Sequence, residues 1–318
     1  MNSSIQDKVD ALIKQQLSEW PLAKSNFDGL QKVITREMVV NNQFVLKIQF
    51  NPERIRSSAA KVDAQSVKAR KCFLCPAHLP AEQKGIEALN DYLILVNPYP
   101  IFSRHLTIPL KQHLDQRIEG RFGEMLLLAE QLPDFVVFYN GPQCGASAPD
   151  HFHFQAGNKG FMPIEQELPR LTAATLRQTR KCRLTAIDNY LRKALVITGS
   201  DRSVLEQWFQ EILDLLKHWI PSNPEPMLNI LTLWTGNEWQ VVLFPRKKHR
   251  PDQFYHEGDE QILLSPASVD FGGVLITPRE ADYNKLNEAL ISDIFKQVTI
   301  DDEAWEALKD RVKGRSEA

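Results

Sequence analysis

Cysteine is scarce: four residues in a chain of 318 cannot form the disulfide framework that holds small secreted domains together. An excess of either charge is also missing. Lys and Arg number 38 against 40 Asp and Glu, a net charge of −2, and the two signs are mixed along the chain. This leaves no basic face or stripe with which to follow a nucleic-acid backbone, although short clusters such as Arg246-Lys247-Lys248 suffice for one small anion. No uninterrupted apolar run approaches the ~20 residues needed to cross a bilayer. The first twenty residues lack the apolar core of a secretory leader; Val9, Leu12, Ile13, Leu17 and Trp20 recur there at helical spacing. Short-period repeats and low-complexity segments are absent too. The expectation is a cytoplasmic protein with reduced thiols and no membrane or nucleic-acid partner. In that compartment a close Cys pair points to metal or redox chemistry.

The composition that is present, 43% hydrophobic and 25% charged, is that of a globular protein. The length allows two domains or one duplicated fold with a shared core. Periodicity predicts a helix over residues 5–20 and a strand over 44–50, then a basic, small-residue loop over 54–71. Strands follow at 92–96 and 105–109, with the turn Asn97-Pro98-Tyr99-Pro100 between them, where two prolines forbid helix. A helix over 119–132 ends at Pro133 and leads into a buried strand at 135–139. Residues 140–150 form a Gly/Pro/Ser loop and 151–155 a strand. After a proline-interrupted linker (162–169), helices are expected at 171–195, 202–219, 280–296 and 302–313, with strands at 228–234, 239–244 and 274–277. The fold class is therefore α+β. The two halves, 1–170 and 171–318, each carry strands and a helix and read as a diverged duplication.

Chemistry concentrates at His151-Phe152-His153-Phe154-Gln155. Strand side chains alternate between faces, so His151, His153 and Gln155 share one face while the phenylalanines anchor the other. One histidine on a strand is ordinarily a packing residue. Two, with an amide, following the Gly/Asn/Ser-rich loop Tyr139–Pro149, suit phosphate chemistry, because such a loop lets backbone N–H groups and a hydroxyl approach an anion.

The run Gly145-Ala146-Ser147-Ala148-Pro149-Asp150-His151-Phe152-His153-Phe154-Gln155 resembles the active-site segment of the transferase branch of the histidine-triad superfamily. Galactose-1-phosphate uridylyltransferase, diadenosine tetraphosphate phosphorylase and GDP-galactose phosphorylase belong to that branch. The resemblance extends upstream through His105-Leu106-Thr107-Ile108-Pro109-Leu110-Lys111-Gln112-His113 and covers about residues 70–160. Gln155 stands where the hydrolases of the superfamily carry a third His, and Asp150 is an extra residue relative to several relatives. The resemblance implies a uridylyltransferase-like fold with antiparallel sheet and flanking helices. It also implies His153 as nucleophile toward the α-phosphorus of a nucleotide, with Gln155 as hydrogen-bond donor and Asn140, Gly145 and Ser147 at the phosphate or ribose. The reaction implied moves a nucleoside monophosphate from a nucleotide sugar or dinucleoside polyphosphate to phosphate or a sugar phosphate, in two displacements.

Cys72-Phe73-Leu74-Cys75 is the second constellation. Two thiolates at this spacing can chelate one tetrahedral metal that needs two more N or S ligands; the alternatives are two reduced core cysteines or a redox pair. In the uridylyltransferases a similar pair binds zinc with the first His of the motif and an earlier His. The matching residues here are His151 and His113, which implies a structural zinc on Cys72, Cys75, His113 and His151. Participation of Mg²⁺ and the oligomeric state stay open.

Weaker signals complete the reading. Phe244-Pro245-Arg246-Lys247-Lys248-His249-Arg250 is a strand running into a basic turn, either a solvated loop or a phosphate contact, with Arg246 and Lys248 as the candidates. Gly272-Gly273 precedes a strand and permits close backbone approach. His105 reads as structural. Two rival functions share the same residues: a nucleotide hydrolase using His153, and a non-catalytic zinc- or nucleotide-binding protein.

Overall fold

Period-two alternation of apolar residues builds two sheets. A computed structural model describes residues 4–41, 44–55, 64–171, 173–188, 190–219 and 224–314. The strands are, first, β1 (Ile34–Val40), β2 (Phe44–Phe50), β3 (Gly85–Ala88), β4 (Tyr92–Val96) and β5 (His105–Pro109). Then come β6 (Phe135–Asn140), β7 (His153–Asn158), β8 (Ala173–Gln178) and β9 (Cys182–Ile187). Last are β10 (Ala194–Gly199), β11 (Leu228–Trp234), β12 (Trp239–Pro245) and β13 (Val274–Thr277). A three-stranded sheet has the order β1-β2-β13, and a ten-stranded sheet the order β3-β4-β5-β7-β6-β11-β12-β10-β9-β8.

The large sheet contains one topology written twice. Strands β3 to β7 pair in the order β3-β4-β5-β7-β6, and β8 to β12 in the order β8-β9-β10-β12-β11. In each set a helix separates the third strand from the fourth: Phe122–Gln131 in the first and Arg202–Trp219 in the second. The sets join where β6 pairs antiparallel with β11, Asn140 opposite Asn229. Because that junction is a hydrogen-bonded ladder, the two halves share one continuous sheet.

Each face of this sheet has its own core. Phe152, Phe154, Tyr92 and Tyr139 are fully buried on the face covered by the helices Ile5–Glu19, Phe122–Gln131, Arg202–Trp219 and Asp302–Gly314. Phe138, Phe244 and Phe271 pack on the opposite face, beneath the small sheet and the helix Glu288–Val298. Phe152 and Phe154 meet edge to face at 4.9 Å between centroids. Burial of each ring contributes roughly 1.5–3 kcal/mol, enough to fix which way β7 faces. His153 and Gln155 consequently emerge on the second face.

Several expected elements differ. Residues 171–195 are not a helix but the antiparallel pair β8–β9 leading into β10. Leu184 and Ala186 are buried while Arg183 is exposed, a period of two that the Leu- and Ala-rich composition conceals. A tight turn at Thr179, whose hydroxyl accepts from Cys182 N at 3.0 Å, reverses the chain. The helix expected over 280–296 is two, Glu280–Lys285 and Glu288–Val298, broken where the Asn287 side chain caps the second by accepting from Leu290 N at 2.9 Å. Of the loop expected over 54–71, residues 56–63 lie outside those described, and Ala64–Ala69 is a short helix. The linker over 162–169 contains the helical turn Ile164–Glu167. Among the described residues no helix is long and apolar enough to cross a membrane.

Candidate active site

The strand bearing the motif begins at His153, two residues later than its alternation suggests. The alternation nevertheless continues back to His151. Phe152 is held in extended backbone by Leu110 N donating to its carbonyl at 2.9 Å and by its own N–H on Leu114 O at 2.6 Å. His151 and His153 thus project away from the phenylalanine core, each with one ring nitrogen committed.

His153 is 2% exposed. Its Nδ1 lies 2.8 Å from the His151 carbonyl, a group that can only accept, so Nδ1 carries the ring proton and the Nε2 lone pair faces outward. Burial pulls the pKa of this ring down to about 4, leaving it neutral at pH 7 and able to attack. The backbone at His153 is clamped by a residue the sequence did not reveal. Gln116, fully buried, accepts from His153 N at 2.8 Å and donates from Nε2 to the carbonyls of His153 and Asn140, both at 3.0 Å.

Gln155 sits beside Thr107 of β5 and Phe138 of β6 in the ladder. Its Oε1 lies 3.1 Å from His105 Nε2, and His105 Nδ1 accepts from Ile101 N at 3.1 Å. His105 is itself buried, and burial together with the nearby Arg54 cation lowers its pKa to about 3. Arg54, which follows β2 and donates to Tyr99 O at 2.9 Å, therefore brings positive charge to this wall of the site. Local motifs in the sequence give no hint of it, because its partner Tyr99 is 45 residues away in the chain.

The loop preceding the motif meets the second half of the chain. Gly145 has φ +97°, and a Cβ there would fall 2.5 Å from the Ala267 side chain and 4.0 Å from Asn140 Cγ, so glycine is required on both conformational and steric grounds. Asn140 accepts through Oδ1 from Asn229 Nδ2 and from Ser268 N, both at 2.9 Å, which makes its amide NH₂ the group it can offer a ligand. Ser147 is exposed, and its carbonyl accepts from Arg70 at 3.4 Å. Asn140, Gly145 and His153 are thus brought together.

Arg246 and Lys248 are not brought to the same position. Arg246 is fully buried, stacked 4.6 Å over Phe271. All five of its N–H groups are engaged: Nε on Val298 O at 3.1 Å, Nη1 on Asn229 Oδ1 at 2.5 Å and Pro266 O at 2.9 Å, Nη2 on the carbonyls of Lys248 and His249 at 3.1 Å. With every N–H engaged inside the fold, Arg246 is a clamp beneath Asn229 and Asn140 in this structure. Lys248 is half exposed and ion-paired with Asp252.

The four residues expected to bind metal do converge. Cys72 Sγ lies 3.2 Å from His151 Nδ1, Cys75 Sγ 3.2 Å from His113 Nδ1, and the two Nδ1 atoms 3.2 Å apart. All four donor atoms fall within 4.8 Å of one another. A tetrahedral zinc with bonds of about 2.3 Å to sulfur and about 2.0 Å to nitrogen sets edges of roughly 3.3–3.8 Å between its ligands. His151 Nε2 lies 2.7 Å from the Leu110 carbonyl, which fixes its proton there and leaves Nδ1 unprotonated toward the thiols, as a ligand must be. Burial and the adjacent Cys72 push the Cys75 thiol up to about 11, so ionising this thiol at pH 7 calls for a cation. The donor set fits zinc. Asp150 pairs with Arg70 at 3.0 Å and lies 3.9 Å from His113 Nε2, on the rim of the cluster.

Residues 12–158 match a family described as a domain of unknown function, DUF4922. Residues 164–318 match the family described as GDPGP1-like, C-terminal domain. No curated protein matches the chain. Among solved structures, yeast Ap4A phosphorylase Apa2 is similar at 16% identity, with 88% of this chain and 96% of that chain covered and a TM-score of 0.60. The same yeast protein in complex with Ap4A is similar at 14% identity over 94% of this chain and 99% of that one, with a TM-score of 0.59.

Proposed function

From a chain with the fold of the histidine-triad transferase branch and a GDPGP1-like C-terminal domain, we propose a nucleotidyltransferase of the phosphorylase type, working through a covalent nucleotidyl-His153. The observation that carries this reading is the committed tautomer of His153: a neutral ring with its proton on Nδ1, bonded to the His151 carbonyl.

In the first displacement, Nε2 of His153 attacks the α-phosphorus of the donor. The P–N bond forms as the bond from phosphorus to the bridging oxygen breaks, and that oxygen leaves with the electron pair on the remaining phosphate. The ring keeps its Nδ1 proton and becomes cationic, a charge the His151 carbonyl at 2.8 Å stabilises. In the second displacement an oxygen of inorganic phosphate or a sugar phosphate attacks the same phosphorus, the P–N bond breaks, and neutral His153 returns. Gln155 contributes hydrogen bonds to the phosphoryl oxygens and transfers no proton, which suits a leaving group that is already a good anion and an acceptor that is already charged. Gly145 and Asn140 shape the wall beside the phosphate.

Residues 1–170 supply the nucleophile and the metal ligands, and residues 171–318 brace the loop through Asn229, Ser268 and Arg246 and close over the nucleotide. A zinc on Cys72, Cys75, His113 and His151 ties the segment at 72–75 to the strand carrying the nucleophile; its chemistry is structural, and no step uses it. The yeast relative was crystallised with AMP and with Ap4A, which supports a dinucleoside polyphosphate or related nucleotide donor.

Product analysis with and without inorganic phosphate tests the proposal. Transfer predicts nucleoside diphosphate from a suitable donor only when phosphate is added. Free monophosphate without added acceptor would replace it with hydrolysis, and no product from any donor would leave a binding protein.

A further inference from the structure

His105 lies outside the motif, yet its hydrogen bonds determine what Gln155 can do. The backbone N–H of Ile101 can only donate, and it points at His105 Nδ1 from 3.1 Å. Nδ1 is therefore an acceptor, and the ring proton sits on Nε2. Nε2 lies 3.1 Å from Gln155 Oε1, so the amide oxygen of Gln155 accepts from His105. An amide bonded through its oxygen turns its NH₂ the other way. The ring has little freedom to break this chain of donors: it is 1% exposed, with the Phe102 ring edge-on at 5.2 Å and Phe138 at 6.1 Å.

We infer that His105 is a positioning residue: it sets the polarity of Gln155, fixing the amide as a pure donor toward the phosphoryl group and so favouring nucleotidyl transfer over hydrolysis. This rests on the reading of His153 as nucleophile. The same wiring states what a histidine at 155 would become. Its nitrogen nearer His105 would have to accept, forcing the proton onto the far nitrogen, where it could be given to a leaving oxygen or taken from water. An amide held by its oxygen has no such proton to exchange. The relay runs from the Asn97–Pro100 turn, which carries Ile101 into place, through His105 to the reacting centre, and it explains why a buried imidazole occupies β5 at all.

A double-mutant cycle on the single-turnover rate of His153 nucleotidylation tests the inference, with Ap4A as donor and phosphate omitted. His105→Phe keeps the aromatic packing and removes the donor; its rate should fall roughly 100-fold, the lower end of what loss of one aligned oxyanion donor costs, at unchanged metal content. His105→Gln, which returns an N–H near the Nε2 position, should recover most of the rate. In a Gln155→Ala background, His105→Phe should cost less than about threefold, because the group it orients is gone. Equal losses in both backgrounds would mean a packing role and overturn the inference. A second readout is independent of turnover: ¹⁵N spectra of the wild type should show His105 neutral with its proton on Nε2. A proton on Nδ1 overturns the inference even if adduct forms. If the wild type forms no adduct while the spectra show the expected tautomer, the fault lies with the nucleotidyl-transfer reading and the inference falls with it.

Discussion

Replacing Gln116 by Leu removes an amide that bridges three backbone groups while keeping most of its volume. The side chain is fully buried and holds His153 N, His153 O and Asn140 O at 2.8, 3.0 and 3.0 Å. Each bond contributes about 1 kcal/mol net, and a buried backbone group left unpaired costs about 1–3 kcal/mol. Partial access of water and the apolar gain of Leu offset some of this, so the expected loss is about 3–5 kcal/mol. Urea unfolding should show a lower midpoint at unchanged slope. The same change loosens the backbone that aims His153 Nε2, so the rate of adduct formation should fall at least tenfold under conditions where the variant is fully folded, an angular effect of the kind that small misplacements produce. Gln116→Glu keeps the acceptor for His153 N but, when ionised, turns an acceptor toward the carbonyls of His153 and Asn140, so it should recover stability only as pH falls and the carboxyl protonates. A Gln116→Leu variant within about 1 kcal/mol of wild type, with unaltered adduct formation, would refute the clamp.

Other perturbations act on separate parts of the account. Cys72→Ser should lower bound zinc from one equivalent toward none and reduce the melting temperature, with activity lost as a consequence; elemental analysis of native protein showing no zinc would sink the four-ligand site. Gly145→Ala should destabilise the loop by about 1–3 kcal/mol from its backbone conformation alone, with more from the Ala267 contact, and should weaken nucleotide binding measured by calorimetry. Burial raises the Glu225 carboxyl from 4.5 to about 7, where it bonds Tyr139 Oη at 2.5 Å and Ile118 N at 2.9 Å. A raised folded-state pKa means a contribution present below pH 4.5 and lost as pH rises to 7, so stability should decline between about pH 4.5 and 7 by up to roughly 3 kcal/mol from this group. Glu225→Gln should flatten that slope, and an unchanged slope would show that the carboxyl is ionised throughout.

What could be read in the sequence was whatever is written locally. The alternation of 44–50 and the short apolar runs at 92–96 and 105–109 match β2, β4 and β5, the last two being buried on both faces for most of their length. The convergence of Cys72, Cys75, His113 and His151 was legible from a Cys-x-x-Cys spacing joined to the motif by resemblance. Residues 171–195 misled because Leu and Ala favour helix on propensity, while pairing with β10 decides the outcome through contacts the segment does not itself contain. Gln116 was invisible for a related reason. A buried glutamine has no spacing signature, and its partners lie 24 and 37 residues away. The role of His105 depends on Gln155, 50 residues away, which the β5–β7 ladder brings alongside it. The basic cluster at the end of β12 left a solvated loop and a phosphate contact equally open, because the partners that engage every donor of Arg246 include Asn229, Pro266 and Val298, all distant in sequence.

Intact-protein mass spectrometry after incubation with Ap4A and with a panel of nucleotide sugars, phosphate omitted, tests the central claim most directly. The account predicts an acid-labile mass increase of one nucleoside monophosphate on the wild type, absent from a folded, zinc-containing His153→Ala variant. An adduct of the same mass on His153→Ala, or turnover by the wild type with no adduct trapped under single-turnover conditions, would contradict it.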